Sequence, residues 1–165
     1  MMIFRTVGIF LVGMLFNTAV LAADVVSVKG IGMDLARDIA NEAVQICKKQ
    51  GYHVTAVVVD RHGLLRVALR DDLAARFTLQ IAEQKANAAV MSGIDSGIFR
   101  ENRKDIRPEM NHVEGILMMQ GGVLINAGGF RIGAVGVSGA PGGEKDEVCA
   151  KLALKTFQER LEFAE

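Results

Sequence analysis

The chain has 165 residues, with 19 basic and 19 acidic side chains, a formal net charge of +0 and a mean hydropathy of +0.27. That balance excludes the electrostatic footprint of a nucleic-acid binder, which needs a basic excess gathered on one face. The length suits one domain of ordinary size, and no linker, repeat or low-complexity tract divides it.

The first residues, MMIFR, carry Arg5 and lead into an uncharged apolar run from Thr6 to Leu21 that ends in small residues, Ala22 and Ala23. A basic start, an apolar stretch and a small-residue end form the pattern of a secretory signal peptide. The run approaches the length of a membrane anchor, but its small-residue end favours cleavage, leaving no stable membrane span. The expected organisation is therefore a signal peptide over 1–22 and a single domain over 23–165, in a periplasmic or secreted protein. Removal takes Arg5 and no acidic residue, leaving 18 basic against 19 acidic side chains.

Residues 34–50 show helical spacing, with Leu35, Ile39, Ala43 and Cys47 on one face and Gly51 as a stop. Residues 54–59 are a continuous apolar strand that turns through Asp60-Arg61-His62-Gly63 into a second strand over 64–69, a hairpin. An alanine-rich helix over 74–92 follows. The stretch 97–112 is dense in charge with little apolar periodicity, and reads as a surface loop with a helical turn. Three short strands over 115–120, 123–126 and 130–138 are then separated by Gly121-Gly122 and Gly128-Gly129, before a last helix over 144–163. This order is not the regular alternation of a parallel α/β fold, and it predicts an antiparallel sheet covered by helices.

Export would place Cys47 and Cys149 in an oxidising compartment where they could pair. Both lie on apolar helical faces, and buried free thiols are preferred here over a disulfide joining the first and last helices. Their spacing matches neither a metal site nor the motif of covalent cofactor attachment.

The segment 128–150, GGFRIGAVGVSGAPGGEKDEVCA, runs from a buried strand directly into a helix. It is not a P-loop, because Gly143 is followed by Glu144, Lys145 and Asp146 instead of a lysine and a hydroxyl residue. Gly133, Gly136 and Gly139 are evenly spaced, unlike a dinucleotide fingerprint. The loose nucleophile elbow around Ser138 lacks a histidine after the serine, since His53, His62 and His112 all precede it. Asp146 and Glu147 fall in the first helical turn, where negative charge meets the positive end of the macrodipole.

Three segments in order carry a family resemblance: Val57-Val58-Val59-Asp60-Arg61-His62-Gly63 with Leu64-Leu65 and Arg70-Asp71; Ile81-Ala82-Glu83-Gln84-Lys85-Ala86; and Gly121-Gly122 through Gly133-Ala134-Val135-Gly136-Val137-Ser138-Gly139 to Asp146-Glu147-Val148-Cys149-Ala150. Together they resemble the GlcG/HbpS-like haem-degrading family, which includes the C-terminal domains of PduO-type proteins. The chain departs from the family pattern around His62, at Leu124-Ile125 and at Ala88. The resemblance implies an α/β fold of the profilin-like two-layer sandwich type, a five-stranded antiparallel sheet with flanking helices. It also implies a homo-oligomer, often an octamer, and haem or a similar planar tetrapyrrole as ligand, held non-covalently.

Haem iron accepts histidine, methionine or tyrosine. His112, beside Met110 at the end of the charged loop, is the preferred ligand. His62 lies in the hairpin turn, where solvation is the commoner role; Met118 and Tyr52 are further donors. Arg70, Arg107 and Arg131 are candidates for the propionates, and Gly136 and Ser138 for pocket walls. Lys85, on an alanine-rich helix, would be a nucleophile or anion contact if desolvated, although a packed stem with its ammonium in solvent is the preferred reading. Asp71 and Asp72 form a weak candidate cation site. Two other functions compete with the haem reading. One is a cofactor-free structural or sensory module working through its assembly surfaces with a sensor or receptor protein. The other is a small-molecule enzyme or accessory protein linked to hydroxy-acid use.

Overall fold

The computed structural model describes residues 26–163, so the expected signal peptide lies outside the described residues. Helix α1 (Met33–Lys49) buries Ala36, Ile39, Ala40, Ala43, Val44 and Cys47, the stripe its spacing predicted. Strands β1 (Thr55–Asp60) and β2 (Leu65–Arg70) form the predicted hairpin. Helix α2 (Thr78–Ser92) starts later than expected. The intervening segment is a turn in which the Leu73 amide donates to Asp71 Oδ1 and the Ala74 amide to the Asp71 carbonyl.

Two short helices, α3 (Ser96–Asn102) and α4 (Arg107–Met110), replace the expected loop. Strands β3 (Gly122–Ala127) and β4 (Phe130–Ser138) complete the sheet, and α5 (Gly143–Thr156) and α6 (Gln158–Glu162) end the fold. The expected single last helix breaks at Phe157, whose amide donates back to Leu154 in a tightened last turn.

The sheet is antiparallel with the order β2-β1-β4-β3, four strands instead of the five expected. Segment 115–120 is not a strand because its backbone groups are engaged elsewhere. The Leu117 amide donates to the Gln84 carbonyl on α2, the Met118 amide to Asn111 Oδ1, and the Met119 carbonyl accepts from the Ser96 hydroxyl. The central strands β1 and β4 are buried on both faces, which is why they read as nearly unbroken apolar runs, while edge strand β2 is largely exposed.

Successive residues of a strand face opposite sides, and the sheet uses both. Ala56, Val58, Val135 and Val137 pack against α1 and α5; Val57, Val59 and Ala134 pack against α2. The layers therefore number three, not two. Cys47 and Cys149 form a disulfide between α1 and α5, with Cα atoms 5.6 Å apart. This corrects the expectation of free thiols: the two apolar faces that suggested separate burial are packed against each other.

Candidate functional site

Lys85 lies in the middle of α2 on the side turned to the sheet. The helix approaches unusually closely because Gly122 and Gly136, paired across β3 and β4, carry no side chains there. A Cβ at Gly136 would collide with the Ala82 carbonyl oxygen, and one at Gly122 with the Lys85 carbonyl oxygen. Backbone thus rests on backbone, one recognised use of glycine within a strand. Gly136, expected in a pocket wall, is buried beneath the helix.

At this depth the Lys85 ammonium donates to Asp146 Oδ2 at 2.7 Å and to the Val137 carbonyl at 3.0 Å. The two side chains are 1% and 4% exposed. The other Asp146 oxygen accepts from the Ala140 amide at 3.0 Å. The preferred reading of Lys85, with its ammonium in solvent, is corrected: a partner 61 residues away draws the charge inward. Burial pushes Lys85 below the ordinary lysine range and Asp146 above the ordinary carboxylate range, and their mutual attraction opposes both. Asp146 does sit in the first turn of α5, yet its carboxylate serves Lys85 and the preceding loop.

A cavity of about 440 Å³ opens over this pair, lined by Ile81, Arg100, Arg107, Met119, Ser138 and the loop 139–143. Of the expected site residues, Lys85 and Ser138 meet here, together with Arg107. Arg100 was missed by the sequence reading, because nothing in a run of seven charges distinguishes the side chain that turns inward. Its Nε is buried without a hydrogen-bond partner.

A second depression, of about 330 Å³, lies at the hairpin turn between His62, Gly63, Asn87, Val90, Met91 and the segment 114–116. His62 is exposed and its ring makes no hydrogen bond among the described residues; only its amide is engaged, donating to Asp60 Oδ1 at 2.8 Å. Val90, Met91 and Ile116 supply an apolar wall. Asn87 Oδ1 is buried there with no donor, while its amide nitrogen donates to the Gly115 carbonyl. This orphan acceptor was not legible in the sequence.

The remaining candidates are dispersed. Arg70, Asp71 and Asp72 line a third depression. There Arg70 donates to the Ala74 carbonyl, while the Asp71 carboxylate accepts from Lys48, His53 and the Leu73 amide. With those oxygens engaged and Asp72 exposed, the pair does not converge on a cation, and no cluster of three potential metal ligands occurs among the described residues. Met110 and His112 end α4 in a turn where the exposed His112 donates its amide to Glu109, and neither lines the two cavities along α2. Met118 is buried, and Tyr52 lies beneath Lys145. Arg131 borders Gly93 at the end of α2.

Among the described residues no helix is long and apolar enough to cross a membrane. The sequence pattern of the haem-degrading HbpS-like proteins matches residues 31–155. The crystal structure of HbpS is 30% identical with a TM-score of 0.76, over 84% of this chain and 97% of that one. The Klebsiella pneumoniae protein ORFY, of the DUF336 family, is 25% identical with a TM-score of 0.76 over the same shares. PduOC, solved as a complex with haem, shares the fold at 23% identity and a TM-score of 0.66, over 76% of this chain and 94% of that one. No curated protein matches. A match across most of the chain, joined to a 30% identical relative covered almost end to end, establishes that this chain belongs to the HbpS-like haem-degrading family.

Proposed function

We propose that this protein binds haem or a similar planar tetrapyrrole non-covalently, in the depression formed by His62, Val90, Met91 and Ile116. The observation that carries the assignment is the free imidazole of His62 beside an apolar wall, in a chain whose family is described as haem-degrading. Imidazole is a common haem-iron ligand, and the macrocycle needs apolar contact. His62 would hold the iron and the side chains of α2 would cover one face. The solved haem complex of PduOC, which shares the fold, supports the same reading. Attachment would be non-covalent because the described cysteines are paired with each other.

When bound, the haem would supply redox chemistry at its iron; the protein's part is to orient it and exclude water on one side. The reading also places the protein outside the cytoplasm, because a structural disulfide persists in oxidising compartments and residues 1–22 read as a signal peptide. Self-association is part of the same proposal. Among the described residues edge strand β2 is unpaired on its outer side, and Leu64, Leu65, Leu73 and Phe77 around it are exposed. Light scattering on the mature chain should return a multiple of the protomer mass; a monomer at micromolar concentration would remove that part.

The test of binding is a haemin titration of the mature protein followed at the Soret band, with His62→Ala and His112→Ala in parallel. A saturable shift weakened more than about tenfold by His62→Ala alone is expected. A shift lost only in His112→Ala would move the iron to the turn after α4, and a non-saturating response in wild type would remove the haem assignment.

A further inference from the structure

The cavity over Lys85 and Asp146 has no part in the haem assignment, and its chemistry differs from that of the His62 depression. It offers no imidazole. Its charged lining is Lys85, Arg100 and Arg107 against Asp146 and Glu144, one net positive charge around about 440 Å³ of space, with the Glu101 carboxylate beside both arginines outside the lining. Lys85 and Asp146 satisfy each other at the floor. The Glu144 carboxylate lies back against Gly142 at the start of α5, so the helix terminus already has an anion of its own.

The two guanidiniums are what remains. Arg107 makes no ion pair within 4 Å and no side-chain hydrogen bond among the described residues, although Glu101 lies near enough for its carboxylate to feel the Arg107 charge. Arg100 approaches only Glu101, at 4.0 Å, a contact beyond hydrogen-bonding distance, and its Nε is buried with no partner. The Arg100 side chain is 36% exposed and lines the cavity, and a carboxylate is the group whose geometry matches the fork of a guanidinium. Ile81 and Met119 supply apolar wall beside the arginines, and Ser138 a hydroxyl.

We infer that this cavity is a binding site for a small organic monocarboxylate, its carboxylate held by Arg100 and Arg107 and its apolar body lying against Ile81 and Met119. A lining with at most one net positive charge, its arginines already facing Glu101 on their other side, favours one carboxylate over a phosphate dianion, and the mixed lining favours an anion with a short carbon chain over an inorganic one. Lys85 and Asp146 form the floor that fixes the electrostatics of the site and keeps loop 139–143 in place through the Ala140 amide.

The experiment is isothermal titration of the mature protein with butyrate, with butyramide and inorganic phosphate as comparison probes, while the Met119 methyl resonance is followed by NMR. Saturable binding of butyrate with a shift of Met119, little response to butyramide, and an affinity loss of more than about tenfold in Arg100→Gln/Arg107→Gln are expected. An unchanged melting temperature of that variant shows that the fold is retained. If the double variant is not folded, Arg107→Gln alone serves, because the Arg107 side chain makes no hydrogen bond or close ion pair among the described residues. No saturable butyrate binding, equal binding of butyramide, a preference for phosphate, or an affinity indifferent to the arginines would each overturn the assignment.

Discussion

The two faces of the sheet are built on different principles. Against α1, α5 and α6 the sheet packs with volume: Val58, Val123, Ile125, Val135 and Val137 share one core with Ile39, Val44 and Leu161, and the Cys47–Cys149 disulfide ties α1 to α5. Against α2 it packs by closeness: alanines and glycines bring backbone onto backbone, and the largest fully buried side chain there is a lysine. A face filled with branched side chains makes a scaffold, and the open space on that side, including a cavity of about 460 Å³ between β3, α5 and α6, lies at its rim. A face stripped of side chains brings buried polar groups, Lys85 and Asn87 among them, next to open space. Both cavities along α2 arise there, one beside Ile81 and Lys85, the other beside Asn87, Val90 and Met91.

The contrast can be broken most forcefully at Lys85. Lys85→Met leaves Asp146 buried without its partner and should cost about 3–5 kcal/mol in chemical denaturation; adding Asp146→Leu should recover part of that loss. A cost below about 1 kcal/mol for Lys85→Met would mean that water reaches the pair. On the opposite face, Cys47→Ala with Cys149→Ala opens a closure spanning 102 residues and should cost about 2–4 kcal/mol, with no change in ligand titrations. Gly136→Ala forces α2 off its track and should cost about 1–3 kcal/mol by overpacking. A neutral Gly136→Ala would show that the helix does not rest on β4.

The smallest effect concerns acid stability. Asp71 is held down to about 2, from an ordinary 3.8, by the Leu73 amide first, then by Lys48 and His53. A carboxyl depressed on folding stabilises above its unfolded value, and that contribution disappears as pH falls through its folded value. Stability should therefore drop between about pH 4 and pH 2 in wild type. In Asp71→Asn that component of the acid limb should be absent; an identical limb would show that other carboxylates govern it.

Much of this architecture is legible from local pattern. The helical stripe of α1, the unbroken apolar runs of β1 and β4 and the turn at Gly63 follow from side-chain periodicity, which is a local property. What escaped depends on partners distant in the chain. Segment 115–120 has strand composition, but its backbone groups are taken by Gln84, Asn111 and Ser96. Lys85 reads as a solvated lysine until Asp146 is beside it, although a charge among alanines on a helix otherwise fit for burial was the available signal. The cysteines read as separately buried because neither face reveals that it packs on the other. The sequence favours His112 over His62; what turns the proposal to His62 is its surroundings on α2 and at 114–116, which no local pattern reveals.

The central claim is that function lies along α2 and that α1 with α5 is scaffold. Hydrogen–deuterium exchange of the mature protein with and without haemin tests it most directly. Protection gained over residues 61–63, 87–91 and 114–116, with α1 and α5 unchanged, is the predicted result. Protection confined to α1, α5 or the end of α4 would contradict the account.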